Sequence, residues 1–168
     1  MRPDNFPNFN KQPAVRDSQK FLLDGMLGSL SRKLRILGFD TVYEDQTPDE
    51  LLIKESRTTS RILVTSDVQL QLNAMRRGVE CILVKGSGDE ERLKELFTKL
   101  GRKEINSGRN PRCSLCNGLL GETSEKTLRG KSTHRCQRCG KIYWRGSHWK
   151  KLDALFSSVN SSLETKIC

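Results

Sequence analysis

Four cysteines stand in two pairs, Cys113-x-x-Cys116 and Cys136-x-x-Cys139, with 19 residues between the pairs. Two residues between cysteines let both thiolates point inward from one tight turn. Two such turns supply the closed tetrahedral ligand set that Zn²⁺ prefers. A closed site leaves no open coordination position, so the zinc is expected to be structural rather than catalytic. A pair of redox-active dithiols is the weaker alternative. Asn117-Gly118 and Gly140 follow the second cysteine of each pair, where a knuckle needs residues that tolerate positive φ. His134 and His148 are read as facing solvent or RNA rather than metal. Cys81 is read as a buried apolar residue in a strand, and Cys168 is terminal and uninformative.

A second set of candidate ligands is acidic. Asp24 directly follows the apolar run Phe21-Leu22-Leu23, Asp67 follows Ile62-Leu63-Val64-Thr65-Ser66, and Asp49 sits where a helix begins. Strands of a parallel sheet gather their ligands beyond their carboxyl ends, so the three carboxylates are expected over one edge. Their repulsion is relieved by Mg²⁺ or Mn²⁺, and such ions can assist attack on a phosphodiester. Each acid also has a plainer role as a helix N-cap. Glu50 is assigned to a capping box, which makes Asp49 the better ligand candidate of the two. Glu44, Asp45 and Asp89 are weaker candidates.

The third feature is charge. The chain of 168 residues has a formal net charge of +10, and residues 102–151 hold 13 Lys/Arg against 3 Asp/Glu. The remainder carries 17 of each sign. A local imbalance of this kind points to a polyanion partner, with nucleic acid foremost. Arg135, Arg138, Lys141 and Arg145 would contact phosphates, while Trp144, Trp149 and His148 would meet bases. Arg129, Lys131, Lys150 and Lys151 add to the same field. The plainer reading has Tyr143 and the tryptophans packing one module on the other.

The elements that must hold these groups follow from periodicity. Residues 20–101 alternate short apolar runs with helical spacing. Strands are expected at 21–23, 41–43, 61–65 and 81–84. Helices are expected from Met26 to Leu37, from Thr47-Pro48-Asp49-Glu50 onward, through Leu70 to Met75, and from Ser87 to Leu100. Such alternation predicts an α/β domain with a small parallel sheet covered by helices. Residues 1–19 read as a disordered tail, 102–111 as a polar linker, 112–155 as the cysteine module and 156–168 as a flexible end. The low apolar content of the cysteine module implies that metal binding supplies much of its folding energy.

With 35% hydrophobic residues, the composition suits one modest core and a metal-stabilised appendage. No apolar run approaches the roughly 18 to 20 residues of a membrane-spanning helix. No stretch resembles a signal peptide, so a cytoplasmic location is expected.

Four motifs together resemble a known family. Residues 21–40 (FLLDGMLGSLSRKLRILGFD) and Ile62-Leu63-Val64-Thr65-Ser66-Asp67 are similar to the two signatures of a PIN-like ribonuclease family. That family is named from the C-terminal domain of the Mut-seven exonucleases. Arg112-Cys113-x-x-Cys116-Asn117-Gly118 and the segment from Cys136 to Trp149 resemble its zinc ribbon. The likeness covers about residues 20–152. It implies a PIN fold with a C-terminal zinc ribbon and metal-dependent RNA hydrolysis. By position, Asp24 and Asp67 match the family's acids, and Asp49 or Glu50 its acidic pair. Ser66 departs from the basic residue often found there, and the acid set is sparser than the usual four.

The resulting expectation is an endoribonuclease in which Asp24, Asp49 and Asp67 hold Mg²⁺ or Mn²⁺ and the ribbon binds RNA. The rival is a catalytically silent module that binds RNA or a ribonucleoprotein. A third reading is a toxin-like nuclease governed by an inhibitor.

Overall fold

The computed structural model describes residues 19–102, 104–105, 110–126, 130 and 132–164. The expected tail up to residue 18, Arg129 and Lys131 of the basic segment, and residues 165–168 lie outside them.

Lys20–Leu23 (β1), Asp40–Tyr43 (β2), Ile62–Thr65 (β3) and Cys81–Leu83 (β4) form one parallel sheet. Its order is β2-β1-β3-β4, with Leu23 opposite both Tyr43 and Val64. Between the strands run Gly28–Ile36 (α1), Asp49–Thr59 (α2) and Val68–Arg76 (α3), and Asp89–Lys99 (α4) follows β4. Side chains alternate along a strand, so the two sheet faces build two cores. Phe21, Leu23, Ile62 and Val64 face α1 and α4. Leu22 and Leu63 face Leu52 and Ile53 of α2 and Leu70 and Ala74 of α3. Both faces are covered, as parallel sheets require, and all four residues of β3 are buried.

A second sheet is antiparallel, in the order β5-β6-β7, from Leu120–Lys126 (β5), Ser132–Cys136 (β6) and Ile142–Trp144 (β7). The chain then enters a last helix, Ser147–Glu164 (α5). No helix of the described residues is long and apolar enough to cross a membrane.

Several expectations are corrected here. Of the end expected to be flexible at 156–168, residues 156–164 form the second half of α5. Phe156, Val159 and Leu163 are buried in the larger core beside α4. Spacing of three and four residues puts them on one face, and the intervening serines mask that pattern. The polar linker is partly fixed as well. Ile105 is buried, and the Asn160 amide accepts from its N–H at 2.6 Å and donates to its carbonyl at 3.0 Å. The capping box at α2 is absent: Pro48 is the N-cap with no side-chain cap bond. Glu50 instead takes both arms of the Arg77 guanidinium at 2.6 Å, a charge-assisted fork stronger than a bond to a neutral N–H. His134, expected to face solvent or RNA, is buried. Cys81 is half-buried, and Met26, expected on an apolar helix face, is 68% exposed on the 3-10 turn Gly25–Leu27.

Candidate metal centre and carboxylate edge

The two cysteine turns meet. The Sγ atoms of Cys113, Cys116, Cys136 and Cys139 all lie within 4.8 Å of one another, with Cys113 to Cys139 at 3.6 Å and Cys116 to Cys136 at 3.4 Å. Asn117 takes φ 66° and Gly140 φ 75°, as knuckle geometry demands. Gly118 is required for a different reason. A Cβ there would stand 2.8 Å from the Cys136 sulfur and 2.8 Å from the Arg138 Cβ. The donor set therefore fits a soft tetrahedral ion such as Zn²⁺.

The groups around the sulfurs act on them unequally. The Tyr143 hydroxyl lies 3.0 Å from the Cys113 sulfur and 3.2 Å from the Ser114 hydroxyl. Backbone N–H groups of Arg138 and Cys139 reach the Cys136 sulfur at 3.4 and 3.5 Å. Burial alone would raise the Cys113 thiol. The Tyr143 hydroxyl and the N–H groups of Cys116 and Leu115 outweigh it and bring the thiol down to about 6. Burial, with the neighbouring sulfurs, pushes Cys116 up to about 12.

The first knuckle is tied to the exposed edge of the parallel sheet. Edge strand β2 presents the N–H and carbonyl of Thr41 outward. Asn117 Oδ1 accepts from that N–H at 3.0 Å, and Arg35 Nε donates to that carbonyl at 2.8 Å. The Asn117 amide also donates to Asp40 at 2.7 Å, and Arg35 Nη1 donates to the carbonyls of Ser114 and Leu115, both at 3.0 Å. Arg61 completes the set at 2.9 Å from Asp40. Burial would raise the Asp40 carboxyl, but its bonds to Arg61 and Asn117 prevail and hold it below the usual range. Sequence reasoning missed Arg35, Asp40 and the Asn117 side chain. The available signal was a cation placed next to Leu34 among the apolar positions of α1.

The acids occupy the carboxyl edge, two of them linked. Asp24 is buried, and its Oδ1 accepts from the Met26 N–H at 3.0 Å. The Thr65 hydroxyl donates to Asp24 Oδ2 and accepts from the Asp67 N–H, the latter at 2.9 Å. Asp67 is exposed, and its Oδ1 caps α3 through Gln69 and Leu70 at 2.6 and 3.2 Å. Tyr43 fixes the turn after Asp24 by donating to the Gly25 carbonyl at 3.0 Å. Asp49 stands exposed on the first turn of α2. Asp45 approaches the same turn: a Cβ on Gly25 would meet its Oδ1 at 3.0 Å. Asp89 is paired with Lys33 at 2.5 Å. Ser66 buries its hydroxyl without a hydrogen-bond partner. Among the described residues, only the four cysteines bring three or more metal-ligating atoms together.

The basic ribbon residues divide into engaged and outward groups. Arg135 pairs with Glu125 and reaches the Gly140 carbonyl at 3.3 Å, while Arg138 donates to the Cys116 carbonyl at 3.1 Å. Arg145 lies over the Trp149 ring at 5.1 Å and 3.7 Å from Asp153. Lys141, Trp144 and His148 are exposed, as are Lys150 and Lys151.

Residues 19–156 match the family described as Mut7-C RNAse domain. No curated protein and no solved structure matches the chain.

Proposed function

The chain belongs to the Mut7-C RNAse domain family, and on that premise we propose that it is a metal-dependent endoribonuclease of the PIN type. The observation that carries this reading is the Thr65 hydroxyl, which joins the Asp24 carboxylate to the backbone of Asp67 at the carboxyl edge. Asp24 is thereby held in one orientation beyond the end of β1, beside the end of β3 that leads to Asp67. Asp67 keeps Oδ2 free of the capping bonds made by Oδ1. An oxygen-only donor set suits a hard cation, so Asp24, Asp67 and Asp49 would hold Mg²⁺ or Mn²⁺. Such an ion supplies water activation and charge neutralisation for phosphodiester hydrolysis.

The chain's own groups do the rest. Lys141 and the arginines Arg135, Arg138 and Arg145 attract the phosphate backbone, and Trp144, with Trp149 and His148, offers ring faces to bases. The partner is RNA, free or in a ribonucleoprotein, and cysteines kept free for zinc suit the reducing cytoplasm.

Cleavage of a mixed RNA pool in Mn²⁺, with Ca²⁺ as control, tests the assignment. Asp24→Asn should lower cleavage by at least about 100-fold while the far-UV spectrum is retained. Unchanged cutting by that variant would remove Asp24 from the site. One observation favours the rival, a silent RNA- or ribonucleoprotein-binding module: Asp24 and Asp67 both serve as caps, and among the described residues no three carboxylates gather. That module would bind RNA with steep salt dependence, cleave nothing and ignore Mn²⁺.

A further inference from the structure

Two neighbours in the first cysteine knuckle answer separate structural demands. Asn117 takes φ 66°, a conformation that Asn tolerates better than most residues with a side chain, and its amide bridges Thr41 and Asp40 of the sheet edge. Gly118 has no room for a Cβ, which would stand 2.8 Å from the Cys136 sulfur. Together they form the one Asn-Gly step in the sequence, the other asparagines preceding Phe, Lys, Ala, Ser or Pro. Glycine has no Cβ to shield its nitrogen, and it has the widest backbone freedom. In a mobile chain that nitrogen therefore reaches the amide carbon of a preceding Asn more readily than any other residue's. In the folded protein both reactants are occupied. Asn117 Nδ2 donates to Asp40 at 2.7 Å, and Oδ1 accepts from the Thr41 N–H at 3.0 Å. The Asn117 N–H donates to the Cys113 carbonyl at 2.9 Å, and its carbonyl accepts from Arg112 at 3.0 Å. The Gly118 N–H bonds the Cys116 sulfur, and its carbonyl accepts from the Cys113 N–H at 2.8 Å.

We propose that Asn117-Gly118 is a deamidation site, silent while the knuckle is docked on β2 and opened when the four cysteines lose their ion. The Gly118 nitrogen gives its proton to water and attacks Asn117 Cγ, the Cγ–Nδ2 bond breaks, and Nδ2 leaves as ammonia. Water then opens the cyclic imide at either carbonyl and leaves Asp or isoaspartate. Ring closure needs the Gly118 nitrogen free of sulfur and the Asn117 amide free of β2. Its rate therefore follows the population in which the knuckle has opened locally. The reaction runs one way, and its product does not fit back. An Asp at 117 keeps an acceptor for the Thr41 N–H but sets a carboxylate against Asp40, where the amide had donated. Isoaspartate also adds a main-chain carbon beside Gly118, which the sulfurs already crowd. Deamidation thus turns a transient loss of metal into a lasting release of the knuckle from the parallel sheet.

The test follows the full wild-type chain in three states: loaded with Zn²⁺, stripped by a chelator, and unfolded in urea with the chelator present. The unfolded sample sets the intrinsic rate of this step. All are held at neutral pH, and the peptide spanning Asn117 is mapped by mass spectrometry with isoaspartate resolved from Asp. Conversion should be at least about tenfold slower in the zinc-loaded protein than in urea, and the stripped protein should come within about threefold of urea. The product is then tested for release. Asn117→Asp should bind zinc while its Thr41 amide exchanges faster than in wild type. Wild type that is stripped, aged and reloaded gives the same readout without a variant. Equal conversion in the loaded and unfolded chains would overturn the proposal, and so would an intact Asn117 in the stripped protein. A chain that takes up no zinc yet keeps Asn117 intact would overturn it as well. Thr41 exchange at the wild-type rate in both the Asn117→Asp variant and the aged, reloaded protein would overturn the lasting release.

Discussion

The four thiols and the three carboxylates are both of types that can bind metal, yet they are held in opposite ways. The sulfurs converge from two turns and lie within 4.8 Å of one another. Each linked carboxylate has a second occupation. Asp24 caps the 3-10 turn and takes the Thr65 hydroxyl, and Asp67 caps α3. The difference follows from chemistry. A thiol is a weak hydrogen-bonding group, so four brought together, only Cys113 and Cys136 of them buried, gain little without an ion. A carboxylate is a strong acceptor that a helix N-terminus stabilises on its own. The expectation is therefore that the cysteine module depends on its metal for folding, whereas the hydrogen bonds that hold the carboxylate edge need no ion.

The largest expected effect tests that contrast directly. Chelation, or Cys136→Ser, should unfold the ribbon, since structural zinc is worth on the order of 10 kcal/mol at neutral pH. Circular dichroism with zinc stoichiometry would read the loss. Chelation should leave the parallel sheet formed but its edge open at Thr41, and a sheet melting together with the ribbon would break the comparison. Next is Asn117→Ala, expected to cost about 2–4 kcal/mol by removing the bonds to Thr41 and Asp40 and placing Ala at positive φ. Asn117→Gly should recover about 1 kcal/mol of backbone strain. Both variants should show faster exchange of the Thr41 amide while retaining bound zinc. A Thr41 amide that exchanges at the wild-type rate would deny the edge tie.

Asp67 separates its two occupations. Asp67→Ala should lower stability by about 1 kcal/mol through the lost cap, and Asp67→Asn by only a few tenths, because Asn caps nearly as well. Both should lose RNA cleavage together, if the charge rather than the cap serves catalysis. Thermal melts paired with cleavage rates would show the split. An Asn variant that cleaves normally would make Asp67 a cap and nothing more.

Much of this was readable in the chain because local signals and tertiary structure agree. The strand before Asp24, the strand before Asp67 and the cysteine spacing each depend on a few adjacent residues, and all stand where periodicity puts them. What escaped depends on distant partners. Glu50 satisfies a capping-box pattern, but Arg77, 27 residues on, competes for it successfully. The buried face of α5 is spelled with Phe156, Val159 and Leu163 among serines, a spacing that composition hides. The tie of Arg35 to Ser114 and Leu115 spans 79 and 80 residues, and no local pattern announces it.

The smallest effect concerns a fifth thiol, and it isolates what depresses Cys113. Cys81 is half-buried and has none of the donors that surround the buried Cys113. Burial, helped by the Asp24 charge, pushes Cys81 up to about 12, whereas Tyr143 and backbone N–H groups hold Cys113 at about 6. At pH 8 the Cys81 thiolate should be scarcer than in an ordinary thiol by about a thousandfold, so iodoacetamide should modify its peptide correspondingly slowly in the folded protein. The linkage sign is fixed by the same shift. A folded pKa raised above the unfolded value of 9.0 gives a contribution that is complete below pH 9 and lost as pH rises towards 12. Cys81→Ala should therefore flatten the alkaline limb of the stability curve without touching zinc content or cleavage. If Cys81 is alkylated as fast as a free thiol at pH 8, burial does not silence it. Donors could then not be credited with the whole difference between Cys81 and Cys113.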